Sequence, residues 1–330
     1  MQRYLCNNPA VLQRADPWIY RHTDGYYYFV ASVPEYDRIE LRRAPVLANL
    51  GGAEPVTVWR KRESGILSSH IWAPELHFVN SCWYIYFAAT DRPTPLNGLF
   101  NHRMYVLENS HANPLEGEWI ERGQIETRWD TFSLDATSFT HKGVQYLVWA
   151  QKDPSIPGNS NLYIAAMKNP WTIDKKQIML SKPEMPWETV GFSVNEGPAV
   201  IIHGKKVFIS YSCSVTDANY CMGLLTANTD DDLLNPENWI KSPKPVFKTS
   251  KESHQYGPGH NCFTETEDGR TTLLVYHARN YESIIGDPLY DLNRHTRIQP
   301  LDWTIAGYPV FGEPVKDGPV FLRLDREERV

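Results

Sequence analysis

Three carboxylates and an imidazole recur at nearly one offset from a turn. Asp16 stands nine residues before Gly25, Asp135 eight before Gly143, Glu196 eight before Gly204 and His260 nine before Gly269; Trp72 stands eight before Asn80. If these stretches are equivalent strands around a common centre, the groups meet although they lie far apart along the chain. Acids gathered in this way raise one another's pKa or demand a cation partner, and such sets are seldom kept for stability alone. One protonated and one ionised carboxyl could protonate a departing oxygen and activate a water. Each residue also has a plain structural role. Asp16 before Pro17 could start a turn, and Asp135 in SLDATSF could bond its own backbone. Glu196 in VNEGPAV could be a solvated loop carboxylate, and His260 in GPGHNCF a core histidine. The common offset favours the chemical reading.

The elements that must position these residues repeat five times. ADPWIYRHTDGYYYFVAS from Ala15, IWAPELHFVNSCWYIYFAA from Ile71, LDATSFTHKGVQYLVWAQ from Leu134, NEGPAVIIHGKKVFISYS from Asn195 and GHNCFTETEDGRTTLLVYHA from Gly259 share one pattern. A polar landmark opens each, followed by an alternating run, a turn and a second run rich in aromatics. The turns fall at Asp24-Gly25, Asn80-Ser81, Lys142-Gly143, His203-Gly204 and Asp268-Gly269, where Gly or Asn tolerates the positive φ of a hairpin. Successive turns are about 55 to 65 residues apart, room for a four-stranded sheet per unit. Five four-stranded antiparallel sheets around an axis make an all-β, five-bladed propeller with a central pocket, expected as a single domain over residues 1–330. A β-sandwich or two all-β domains stay open. KNPWTIDKKQIML, DDDLLNPENWIKS and EWIERGQIETRWD read as outer-blade strands and loops.

Composition agrees and narrows the class. Eleven Trp and 18 Tyr with 20 Gly and 24 Pro suit many short strands and turns. The formal charge of −6 argues against nucleic acid or anionic membrane as a partner, and the oligomeric state is left open. Cys6, Cys82, Cys213, Cys221 and Cys262 are odd in number and lack a CxxC pair, so they suggest neither a disulfide framework nor a zinc ribbon. With no apolar leader in MQRYLCNNPAVLQRADPWIY, a cytoplasmic location is expected.

On these motifs the chain resembles glycoside hydrolase family 43 over nearly its whole length. The resemblance implies a five-bladed propeller with three essential acids. Asp16 in RADPW matches the general base. Asp135 in LDATSF matches the acid that orients and tunes its neighbour, with Leu134 in place of the usual Ile or aromatic and counted with the sugar-binding residues. Glu196 in NEGP matches the general acid. WAPE at Trp72–Glu75 resembles a wall of the sugar pocket, GPGH at Gly257–His260 the family's central histidine, and Arg297 in RHTRIQPLDW the arginine facing the second Asp and the sugar. PLDWTIAGYPVFGEP resembles the closing hairpin of the last blade. Implied with them is an inverting hydrolysis, the two working carboxyls roughly 6.5–9.5 Å apart. Asp135 would raise the pKa of Glu196, and Arg297 would keep Asp135 ionised. Trp72 would pack on the terminal sugar, with His70 and His77 as hydrogen-bonding candidates. No cofactor is required on this reading. His260 is the candidate for an axial cation or water site, with Ca²⁺ the ion that the resemblance allows.

The family spans α-L-arabinofuranosidases, β-xylosidases and endo-arabinanases. The stretch ASVPEYDRIELRRA, read as an insert after the first hairpin, and the lack of a C-terminal β-sandwich resemble exo-acting arabinofuranosidases that trim short arabino-oligosaccharides. A β-xylosidase or an endo-arabinanase is the alternative within the family. Two rivals come from other classes. A non-catalytic sugar-binding propeller needs aromatics but no matched acid and base, and a protein-binding scaffold would show a WD-type repeat, which is not seen.

Overall fold

The computed structural model describes residues 2–96 and 98–323. Five antiparallel sheets follow one another in chain order and close into a ring. Blade I comprises Ala15–Arg21, Tyr27–Ser32, Arg38–Ala44 and Val56–Arg60; blade II, Ser69–Val79, Cys82–Thr90, Arg103–Asn109 and Ile120–Gln124. Blade III comprises Ser133–His141, Val144–Gln151, Asn161–Asn169 and Thr172–Ser181; blade IV, Asn195–His203, Lys206–Cys213, Cys221–Asn228 and Ile240–Lys241. Blade V has three strands, Tyr256–Glu265, Thr272–Arg279 and His295–Pro300. In place of a fourth, Gln2–Asn8 and Gly318–Arg323 pair as a ribbon of the two chain ends. Asn8 joins that ribbon to blade V: its side-chain amide donates to the Ile298 carbonyl and its carbonyl accepts the Ile298 N–H, both at 2.9 Å.

The second strand of each blade explains the continuous apolar runs. Tyr27 and Phe29 pack toward blade V with Cys262, Leu273 and Val275, whereas Tyr28 and Val30 pack toward blade II with Leu76, Trp83 and Ile85. A strand covered on both faces has no polar side to alternate. Five such clusters fill the five spaces between neighbouring blades. Full burial of one such side chain, Ile85, contributes about 1.5–3 kcal/mol.

Two expectations need correction. ASVPEYDRIELRRA is not an insert: it holds the end of one blade I strand and the whole of the next, with Tyr36 in the connection. The Asp302–Trp303 and Pro309–Val310 segments form a small ladder of their own, and the ring is closed by the chain ends. The only helices among the described residues are short 3₁₀ turns, and none is long and apolar enough to cross a membrane.

Candidate active site

The innermost strand of every blade breaks its ladder near its start, and those of blades II and V do so twice in succession. The shift common to all five falls between Ala15 and Trp18, Trp72 and Glu75, Leu134 and Thr137, Glu196 and Ala199, and Gly259 and Cys262. Within each shift one residue is left-handed: Asp16 (φ 53°), Ala73 (44°), Asp135 (56°), Gly197 (53°) and His260 (43°). Bulges of this kind re-aim side chains out of the alternation of a strand. The common register is therefore real for Asp16, Asp135 and His260. Trp72 and Glu196 each stand one residue earlier than the equivalent position.

The three acids, Trp72, Leu134 and His260 nevertheless face one cavity of about 560 Å³ at that end of the axis. Its remaining wall includes Phe100, Phe132, Phe192 and Tyr290. Asp16 is 9% exposed and Asp135 only 3%. Ser32 donates its hydroxyl to Asp16 Oδ2 at 2.6 Å and accepts the Ala73 N–H at 2.8 Å, tying blade II to the acid of blade I. The Asp16 N–H donates to His277 Nδ1 at 3.1 Å. His260 Nδ1 lies 3.3 Å from Asp16 Oδ1, and Arg294 Nη1 lies 3.5 Å from the same oxygen. Burial alone would raise the Asp16 carboxyl. His260, Arg294 and His277 outweigh it and hold the group well below the usual carboxylate range.

Asp135 and Glu196 are set the other way. Burial, then the charges of Glu196 and Asp16, push Asp135 well up, against the Gly197 N–H and Arg294. That N–H donates to Asp135 Oδ2 at 2.9 Å, so Asp135 grips the backbone immediately after Glu196. Glu196 is pushed up to about 7 by burial and by the charge of Asp16, while the Tyr220 phenol and Arg294 oppose. The cavity thus holds an ionised carboxylate from blade I and, from blade IV, a carboxyl that keeps its proton to near neutral pH.

Three residues expected at the sugar do not line the cavity. His77 lies further down its strand, where its Nε2 meets Glu75 Oε2 at 2.9 Å and its ring packs on Trp18. Strand alternation carries it past the mouth. His70 stands behind the wall, between Ser69 and Tyr290, its ring against Trp72. Arg297 is wholly buried, paired with Asp317 and donating to the Ala278 carbonyl at 3.3 Å. The arginine at the site is Arg294, three residues earlier and just outside the strand. Its Nη2 donates to the Tyr36 hydroxyl at 2.7 Å. Thus Arg294, not Arg297, faces the acids. RHTR contains both arginines, and only their position relative to the strand start separates them. Tyr220, Ser32 and His277 have no signal in single-sequence spacing, because three different blades bring them in.

The residues around His260 do not fit a resident Ca²⁺. Such an ion takes six to eight oxygens, whereas His260 offers an imidazole, whose Nδ1 is engaged with Asp16. Among the described residues no group of three or more His, Cys, Asp or Glu side chains could hold a metal ion.

Fold and site together define a propeller of the glycosidase type. The sequence profile of the glycosyl hydrolases family 43 matches residues 6–309, and the chain belongs to that family. An extracellular exo-α-(1→5)-L-arabinofuranosidase of Streptomyces avermitilis is 56% identical over 96% of this chain and 65% of its own length, so the chain spans slightly less than two thirds of that relative. A Streptomyces chartreusis protein of the same description is 53% identical over 85% of this chain and 84% of its own length. The crystal structure of an α-L-arabinofuranosidase from Lactobacillus brevis superposes with a TM-score of 0.93 at 56% identity, covering 94% and 98% of the two chains. The expected cytoplasmic location does not stand, because the two Streptomyces relatives are named extracellular enzymes. All five cysteines are free thiols here.

Proposed function

We propose that this chain is an exo-acting α-L-arabinofuranosidase that removes terminal arabinofuranose from arabino-oligosaccharides by a single displacement with inversion. The observation that carries this reading is the opposite electrostatic setting of two acids on one cavity: Glu196 keeps a proton to about pH 7 and Asp16 does not. Glu196 protonates the departing glycosidic oxygen, while Asp16 takes a proton from the water that attacks the anomeric carbon from the other side. Asp135 acts through the Gly197 N–H, fixing the backbone that carries the acid. Arg294 keeps the base ionised. Trp72 offers a sugar-sized ring, supported from behind by His102 stacked at 3.8 Å.

The names of the relatives support arabinofuranose over xylose. Rates on nitrophenyl α-L-arabinofuranoside, nitrophenyl β-D-xyloside and linear arabinan test the substrate. Proton NMR of the first product tests the stereochemistry. The α-arabinofuranoside should be fastest and should yield β-arabinofuranose before mutarotation. Faster xyloside cleavage would sink the substrate, and release of the α-anomer would sink the mechanism.

A further inference from the structure

The hairpin loop between Lys206–Cys213 and Cys221–Asn228 in blade IV ends in Tyr220, which is 1% exposed and donates its phenol to Glu196 Oε1 at 2.8 Å. Among the described residues the hydroxyl has no other hydrogen-bond partner. We propose that Tyr220 is a positioning residue for the general acid: its O–H occupies one carboxyl oxygen of Glu196, so the transferable proton is carried by the other. This rests on the assignment of Glu196 as the acid.

A carboxyl has two equivalent oxygens, and proton delivery requires the hydrogen on the one facing the leaving group. A buried hydroxyl whose one partner is that oxygen removes the ambiguity, because accepting from it would leave the hydroxyl's own hydrogen unpaired. Tyr220 meets the condition, since burial and then the charges of Glu196, Asp135 and Asp16 keep its phenol protonated at any working pH. Its ring is fixed as firmly as its hydroxyl. It lies parallel to His277 of blade V (5.7 Å, 10°), and its N–H donates to the Asp217 carbonyl at 3.2 Å. The GPGH segment leaves the space for it. A Cβ on Gly259 would stand 2.4 Å from Tyr220 Cε1, and one on Gly257 would stand 2.2 Å from the Asp217 carbonyl oxygen. The two glycines therefore admit the loop and the ring that hold the acid.

The charged and titratable groups around the pair are Asp16, Asp135, Arg294, His277 and the Cys213 thiol, and none changes in Tyr220→Phe. The test measures kcat/KM against pH for wild type, Tyr220→Phe, Gly259→Ala and Glu196→Gln. Substrates are α-1,5-arabinobiose and dinitrophenyl α-L-arabinofuranoside, a poor and a good leaving group. Tyr220→Phe should lose about ten-fold on arabinobiose and under about three-fold on the dinitrophenyl substrate. Its alkaline limb should move to higher pH, because the lost donation favoured the ionised acid. Gly259→Ala should show the same split by displacing the ring. Equal losses on both substrates with an unmoved limb, or no loss, would reduce Tyr220 to packing and overturn the proposal. Glu196→Gln reports on the underlying assignment: if it shows no dependence on the leaving group, Glu196 is not the acid and the inference falls with it.

Discussion

The two ends of the inner strands use the same backbone conformation for opposite purposes. At the far ends Gly25, Lys142-Gly143 and Gly204 turn left-handed to close hairpins, and a Cβ added to any of these glycines would meet nothing within 4 Å. At the mouth Asp16, Asp135 and His260 adopt that conformation although each carries a side chain, in a packed setting. A non-glycine residue there costs on the order of 1 kcal/mol or more. At one end left-handed backbone is a convenience of turning; at the other it is strain that aims carboxylates at the axis. The pair teaches that equal φ values carry function only where side chains are committed to them.

Removing the aimed groups should have the largest effect. Asp16→Ala or Glu196→Ala should lower kcat on arabinobiose by about 10³-fold or more with an unchanged circular-dichroism spectrum. Near-normal turnover by either would break the contrast. Arg294→Ala should cost roughly 10- to 100-fold, and its acidic limb should move to higher pH, because Asp16 loses the cation that holds its carboxyl down. Arg297→Ala, three residues on, should instead lower the melting temperature and spare kcat, since it removes a wholly buried side chain and its bonds to Asp317 and the Ala278 carbonyl, away from the cavity.

The pH profile sharpens the same point. Glu196 must be protonated to act, so kcat/KM should fall as pH rises through about 7. Asp16 must be ionised, and its depressed pKa leaves the acidic side flat to well below the usual carboxylate range. A limb on the acidic side near pH 5 would contradict the assignment.

The smallest effects compare two glycines. Gly197→Ala would place a methyl 3.0 Å from His260 Cγ beside the acid. It should cost about ten-fold in turnover and about 1–2 kcal/mol of stability. Gly143→Ala at the far end, with open space around it, should cost about 1 kcal/mol in denaturant titrations and nothing in turnover. Equal kinetic losses would erase the distinction between the two ends.

Much of the fold was legible because hairpin chemistry and alternation are local: turn pairs and apolar strands each act within a few residues. The ring of five followed from repetition. The fifth blade was less legible, since its missing strand is replaced by a ribbon of chain ends some 300 residues apart, and nothing local announces that pairing. Within the site, the acids were legible through offset and motif. Trp72 and Glu196 were placed one position out, because Asn80 and Gly204 are the first residues of their two-residue turns whereas Gly143 is the second of its own.

The sequence by itself determined which groups are available and that they recur at one end of repeated strands, with a closed ring expected and a sandwich or two all-β domains still open. Tertiary structure alone decided the protonation of each acid, because that depends on burial and on neighbours from other blades. His260 and Arg294 of the last blade depress Asp16, and Asp16 of the first helps to raise Glu196 of the fourth. It also decided which of two arginines faces the cavity. A charge acts through space over several ångströms, whatever the distance along the chain.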